Sequence, residues 1–373
     1  MAGASGRLKE AEQSFRQAIQ SDPAAPQPLY NLGVVYERKG ADLKALNYYQ
    51  ISIEKKGDYL PAVSAAAKIL LRYGKAEQAV QTVHSASSKS PGNIKLLILY
   101  SDVLVSAQRY DDAIRMAKRA LRIDERSAMA MLQIGKANLK MGRIELAESV
   151  FNQVVSINDK ISEVFFLQGM LELRKGFNVL AIRKFEKAIE INPFYPEALN
   201  NLAIEYMLAG NYEDAIEMLE RAIQITPSWG VLYLNYGNAL RGAGRWKQAL
   251  SALSKARKML PTTPAITFNM AVLYYAADGL GGMSRMARLK KSRDLFARYK
   301  AEKGASLSKS DESFKYIKEL DVLLEREQVR LQREREAAAK AKERQQAKKS
   351  NEAAGAQSKP GNDLEKAEDD GWE

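Results

Sequence analysis

The residues able to do bond-making chemistry are few. The chain has one histidine, His84, and no cysteine. A single imidazole with no Asp or Glu at ligand spacing makes neither a zinc site nor a nucleophile–base triad. Without thiols there is no disulfide framework, thiol nucleophile or thiolate metal site. Paired carboxylates occur at Asp111-Asp112 and Glu213-Asp214, each just after a turn and opening a helix. Negative charge there meets the positive end of the helix dipole, so capping accounts for both pairs. Gly279, Gly281 and Gly282 fall within four residues and permit an irregular loop. A phosphate cradle would need a preceding strand and a lysine–serine ending, and the sequence supplies neither. The expectation is a protein without enzymatic activity, catalytic residues, bound metal or cofactor.

What remains is amide chemistry. Asn31, Asn201, Asn235 and Asn269 stand at one position of a 34-residue period. A carboxamide holds both a donor and an acceptor, so a row of them can bind the backbone of an extended peptide whatever its side chains. The competing reading is that this asparagine recurs because it steadies the helix. Both stay open at the level of sequence.

The period itself is the strongest signal. From Ala181, steps of 34 residues reach Ala11, Ala45, Ala79, Ala113, Ala147, Ala215 and Ala249. Steps from Gly169 reach Gly33, Ala67, Ser101, Gly135, Ala203, Gly237 and Ala271, and steps from Ala188 reach small residues at all but Val154. Small side chains are required where two helices cross. Steps from Gly176 find Gly6, Gly40, Gly74, Gly142, Gly210 and Gly244 and fail only at Gln108. That spacing predicts a tight helix–helix turn with positive φ. Prolines at 23, 91, 193, 227 and 261 end one helix before the next begins.

With Leu32-Gly33, Tyr36, Ala45 and Tyr49 in one unit, and Leu202-Ala203, Tyr206, Ala215 and Pro227 in another, the chain resembles the tetratricopeptide repeat (TPR) family. The resemblance covers about three quarters of the chain. It implies an all-α solenoid, a right-handed superhelix of antiparallel helix pairs whose concave face binds a peptide or another protein. One pair cannot bury its own apolar face, and stacking supplies the core. Leu29, Leu32, Tyr36, Tyr49, Phe151, Phe165 and Phe185 are accordingly read as packing residues.

The resemblance also assigns a groove to the first helix of each pair. Its positions give Lys68, Arg72, Lys136, Lys140 and Arg174 toward the first half, with Phe166 and Met170 in the middle. The far half is dominated by Asn200, Asn201, Asn235, Asn238 and Asn269. The carboxylate clamp of chaperone-binding members needs a Lys/Asn pair at two set positions of one repeat. The corresponding pairs, such as Leu132/Lys136 and Asn200/Ile204, do not match it.

Domain organisation follows the repeat. Residues 1–25 read as a half-repeat helix whose own first helix is absent, exposing a flank where a partner should pack. Either that half-repeat serves as a cap or the natural protein begins further upstream. Residues 26–261 read as seven full units, and 262–303 as a degenerate eighth with the glycine-rich insertion and a long basic helix. Residues 304–349 read as a charged helix starting near Ser310-Asp311-Glu312. Its apolar stripe of Phe314, Ile317, Leu320, Leu324 and Leu331 suits docking on the last repeat or a coiled coil of about two heptads, hence possible self-association. Residues 350–373 are expected to be disordered, with an acidic end at 369–373.

The net charge is +12, yet the basic stretch 326–349 is interleaved with glutamates. Mixed charge of that kind makes a solvated face, and no nucleic-acid module is visible, so specific nucleic-acid binding is not expected. No run of about 18 apolar residues is present for a membrane span, and residues 1–6 are not a signal peptide. The chain as it stands reads as cytoplasmic, or as periplasmic or outer-membrane-associated if the natural N-terminus is longer. The functional expectation is a scaffold or adaptor holding another protein's extended segment, identity unknown. The alternative is a structural component of a bacterial envelope or gliding-motility complex, whose repeat lipoproteins this chain resembles weakly in texture.

Overall fold

The computed structural model describes residues 2–357, and every regular element among them is helical. Two packing units divide the chain, residues 1–205 and 206–373. The first unit opens with α1 (Ala2–Ser21). Five hairpin pairs follow: α2 (Pro26–Arg38) with α3 (Asp42–Lys55), α4 (Leu60–Arg72) with α5 (Ala76–Lys89), and α6 (Ile94–Ser106) with α7 (Tyr110–Ile123). Then come α8 (Ala128–Lys140) with α9 (Ile144–Ile157), and α10 (Ser162–Lys175) with α11 (Asn178–Ile191), before α12 (Pro196–Leu208), which contains the division. The second unit continues with α13 (Tyr212–Ile225), α14 (Gly230–Gly242) and α15 (Trp246–Met259). It ends with α16 (Pro264–Ala276), α17 (Arg285–Lys303) and α18 (Glu312–Gln357).

The turn inside each pair is fixed by one left-handed residue. Gly40 and Gly74 have φ of 73° and 70°, and the next amide reaches back to the carbonyl five residues earlier, Ala41 N to Tyr36 O at 2.9 Å and Lys75 N to Leu70 O at 2.8 Å. This is the glycine-terminated helix end expected from the spacing. Gln108, where the period lacks glycine, adopts φ 61° and makes the same bond, Arg109 N to Leu104 O at 2.8 Å. Gly6 departs from the expectation. It lies inside α1, whose helix already runs from Ala2, so no turn forms there.

Within a pair, size is matched across the crossing. A Cβ placed on Gly33 would lie 2.5 Å from the Tyr49 ring, and one on Gly169 would lie 2.6 Å from Phe185. The ring fills the space that glycine vacates, and both rings are fully buried. The periodic alanines from Ala45 to Ala249 are likewise fully buried, whereas Ala11 is partly exposed.

The second unit closes on itself through α17 and α18. Asp311 caps α18 by accepting from Ser313 N at 2.9 Å. Leu320 is fully buried, while Phe314, expected on the same stripe, is exposed with the Lys300 ammonium over its ring. From Gln332 to Ser350 every side chain is exposed. The helix thus packs in its first part and projects in its second, continuing to Gln357 past the boundary expected at 349. The acidic end expected at 369–373 lies outside the described residues.

Candidate functional site

In the first unit, α4, α6 and α8 present a groove with Leu60, Ser64, Lys68, Lys95, Ile98, Leu99, Asp102, Met129, Gln133, Lys136 and Glu163 on its lining. Aliphatic side chains supply contact area there, and the polar groups supply direction. Lys68 and Lys95 are exposed and have no ion-pair partner among the described residues. Gln133 is 3% exposed, and its amide oxygen is buried without a hydrogen-bond partner among the described residues. An acceptor left in that condition costs about 1–3 kcal/mol, which an arriving N–H donor would recover.

The groove is less basic than the sequence suggests. Lys136 is held between Asp102 at 2.5 Å and Glu163 at 2.9 Å. Burial alone would disfavour its ammonium, but the two carboxylates outweigh that and raise its pKa. Arg72 is bound to Asp42 at 2.7 Å and Glu37 at 3.1 Å, and Glu37 also accepts from the Tyr49 hydroxyl at 2.8 Å. Arg174 donates to the Leu139 carbonyl at 3.1 Å. These three cations tie one repeat to its neighbour. Lys140 stays exposed.

Further along the first unit, Phe166 packs against Phe185 and Tyr195, with ring centroids 5.8 Å and 5.1 Å away, and Met170 is partly exposed. Burial pushes the Tyr195 hydroxyl's pKa upward. Asn200 is buried, while Asn201 donates to the Glu197 carbonyl of its own helix at 2.8 Å. In the second unit Asn269 makes the same bond to Ala265 O at 2.8 Å, and Asn235 is partly buried. Asn238 keeps a buried amide oxygen without a partner among the described residues. Asn269 also lines a cleft with Thr263, Phe268, Tyr299, Lys303 and Glu312. The back-bonds favour the helix-steadying role for Asn201 and Asn269, although each leaves an amide oxygen and a second N–H for other use.

Gln133, Lys95 and Met129 were not among the expected groove residues. The period could have found Gln133, which stands three steps of 34 after Asn31 and so carries the ladder's carboxamide one methylene longer. His84 is exposed, with its Nδ1 3.2 Å from the Tyr100 hydroxyl. Asp111 and Asp112 lie in the first turn of α7, where Asp112 accepts from Arg109 at 2.7 Å.

Three family models match the chain: Tetratricopeptide repeat at residues 196–228, TPR repeat at 4–40, and Tetratricopeptide repeat at 70–133 and 104–168. The chain is a tetratricopeptide repeat protein. A search of curated proteins finds no match. Among solved structures, the TPR chain is similar to one in the APC/C hetero-tetramer Cut9-Hcn1, at 13% identity and a TM-score of 0.57. That likeness covers 84% of this chain and 59% of the other, so the chain spans a little over half of that relative's length. It is also similar to TTC0263, a thermophilic TPR protein of Thermus thermophilus, at 21% identity, covering 49% of this chain and 100% of that one, with a TM-score of 0.43. YrrB, titled a TPR protein with an unusual peptide-binding site, aligns at 22% identity over 50% of this chain and 97% of its own, with a TM-score of 0.34. The likeness to the Cut9-Hcn1 chain speaks to the fold alone. Together with the family matches and the helices described, it establishes an all-α TPR solenoid with a long C-terminal helix. Such a fold is an interaction scaffold in general, and no described helix is long and apolar enough to cross a membrane.

Proposed function

We propose that the chain is a non-enzymatic scaffold that holds an extended, acidic segment of another protein against α4, α6 and α8. The observation that carries this reading is the unpartnered buried oxygen of Gln133 in a groove edged by Lys68 and Lys95. A backbone N–H of an extended chain satisfies that oxygen without regard to sequence. The two free ammonium groups select carboxylates beside it, and Ile98, Leu99 and Met129 receive apolar side chains. Lys140, Phe166 and Met170 extend the contact within the first unit. In the second unit Asn235, Asn238 and Asn269 offer further amide groups, and the charged part of α18 serves as a second contact or spacer.

The test screens a random peptide library on the full chain and measures the selected peptides against Gln133→Met and Lys68→Ala/Lys95→Ala. Loss of one hydrogen bond of this kind weakens binding by about tenfold. The charge variant is expected to remove the preference for acidic residues. Peptides that bind all three proteins equally well would remove the groove from consideration. A second comparison uses Asn201→Ala, Asn235→Ala and Asn269→Ala together. Unchanged peptide affinity in that variant, at equal helicity, would leave the asparagines as helix-steadying residues only.

A further inference from the structure

The groove of α4, α6 and α8 changes charge from one end to the other. Lys95, Met129 and Glu163 stand 34 residues apart, each the second residue of its helix, in α6, α8 and α10, and all three lie on the lining. The next step of 34 reaches Glu197, second in α12 and exposed. One row across the helices thus runs from an ammonium through a thioether to two carboxylates. Lys68 of α4 adds a second exposed cation at the first end, and neither it nor Lys95 has an ion-pair partner among the described residues.

The far end is negative on balance. Lys136 lies between Asp102 at 2.5 Å and Glu163 at 2.9 Å, so one ammonium meets two carboxylates, which keep solvent access at 42% and 36%. Glu197 has no ion-pair partner among the described residues. The Tyr195 hydroxyl senses both glutamates: burial first, and then the charges of Glu163 and Glu197, raise its pKa. Lys136 therefore does not neutralise this end.

Spacing decides what can lie across the row. Packed helices stand about 8–10 Å apart. A polyproline-II segment makes one turn in three residues, about 9 Å, and has no internal hydrogen bonds. Residues three apart in such a segment meet successive helices on one face, and its free N–H groups suit the buried Gln133 oxygen on α8.

We infer that the groove selects a charge-polarised segment of its partner, with an acidic residue beside Lys95, an apolar residue on Met129 and a lysine or arginine beside Glu163 and Glu197. This selection rests on the groove binding proposed above and adds the basic end, which a uniformly acidic segment lacks. Like charge at Glu163 and Glu197 rejects the uniformly acidic segment, and opposite charge at the two ends fixes which way the bound segment lies.

The test uses the full chain and two capped, fluorescein-labelled peptides built otherwise of Ala, Ser and Pro, followed by fluorescence anisotropy to about 1 mM protein. Both carry Asp and, three residues on, Leu; three residues further, one carries Lys and the other a second Asp. The lysine peptide is expected to bind about tenfold more tightly. Glu163→Gln with Glu197→Gln leaves Lys136 its Asp102 partner and is expected to erase that difference, with circular dichroism unchanged. Lys68→Ala/Lys95→Ala is expected to weaken both peptides. Equal binding of the two peptides to the wild-type chain, or tighter binding of the doubly acidic one, overturns the polarity; if Gln133→Met still weakens both, the groove itself stands. Peptides that bind the wild-type chain and Gln133→Met alike, or do not bind at all, overturn both the groove and its polarity. A wild-type dimer that Glu163→Gln/Glu197→Gln dissociates would give the groove to a second copy and overturn the selection of a partner's segment.

Discussion

The two ends of the described chain face one physical problem and treat it differently. A stack of helix pairs leaves an apolar face at each end, since each pair is buried only by its neighbours. At the C-terminal end of the second unit that face is sealed. Phe296 of α17 is fully buried, stacked on Tyr316 of α18 at 4.9 Å, with Phe268 of α16 edge-on at 5.5 Å. Arg288 is 4% exposed and donates to the Tyr274 and Tyr275 carbonyls at 2.6 Å each, so the end of α16 is satisfied inside the protein. Ser292 donates to Ala271 O at 2.9 Å on the same seam. At the N-terminal end of the first unit α1 is held to α2 by polar contacts. Glu12 accepts from the Tyr36 hydroxyl at 2.8 Å and pairs with Lys39, and Phe15 is left partly exposed. The C-terminal end is thus sealed by its own helices, whereas Phe15 in α1 stays partly exposed among the described residues.

The sharpest way to break the comparison is to remove the matching rings. Phe296→Ala deletes a fully buried side chain and is expected to cost about 3–5 kcal/mol. Phe15→Ala, at a position already partly wet, is expected to cost under about 1 kcal/mol. Urea unfolding read by hydrogen exchange over residues 264–320 and 7–38 checks both. Equal losses at the two ends would mean that α1 is as well packed as α17.

A smaller effect separates hydrogen-bond satisfaction from packing at the sealed end. Arg288→Met keeps most of the buried stem but leaves two carbonyls without their donor, for an expected loss of about 2–4 kcal/mol. The Asp278 partner contributes little, because that carboxylate is 94% exposed. Hydrogen exchange should therefore accelerate at the C-terminal turn of α16 while the Phe296 cluster stays protected. Uniform acceleration across α16 and α17 would show that the arginine supports the cluster instead of the helix end.

These residues also show what could be read from the sequence. The repeat register gave the helices, the turns and the crossing residues, because size and handedness constraints recur every 34 residues and a single chain samples them many times. Gln108 shows its reach: the turn forms with φ 61° without its glycine, since the surrounding helices impose it. Charge was less legible. Lys136, Arg72 and Arg174 were expected to face a ligand, but each meets a partner contributed by another repeat. A carboxylate or carbonyl about 30 residues away cannot be placed by looking at one repeat position. Gln133 was hidden for a different reason, since a glutamine among asparagines does not look like part of a row. Past the last repeat the period stops, and the extent of α18 that packs could not be set by pattern alone.

Acid should act on both ends, in one direction. Burial works against the Asp311 charge, but the Ser313 amide and the Tyr299 hydroxyl bind the charged form, and its pKa lies below the usual carboxylate range. Glu12 is lowered too, by Lys39 first and then by Tyr36. A depressed carboxylate adds stability that is present above its ordinary pKa, about 4, and is lost as pH falls through the lower folded value. Both ends should therefore loosen below about pH 4. Asp311→Asn retains a capping side chain, so its cost at pH 7 is expected to be about 1 kcal/mol or less, and it should flatten the acid limb at residues 299–320 alone. Unchanged acid sensitivity there in the variant would remove Asp311 from the seal.

The smallest expected effect locates where the seal stops. Leu320 is fully buried, Leu324 and Leu331 are partly buried, and Glu327 is buried beside Arg330 with an Nη–Oε distance of 2.6 Å. From Gln332 onward no described side chain through Ser350 is covered. Ending the chain after residue 338 is expected to change stability by less than about 0.5 kcal/mol, since every side chain it removes through Ser350 is exposed. Ending it after residue 316 would strip Leu320 and Leu324 from α17 and cost several times more, at about 2 kcal/mol or above. Thermal unfolding of the two truncations side by side decides the point. If the shorter cut were harmless, α17 alone would form the cap, and α18 would be free along its whole length to reach a partner.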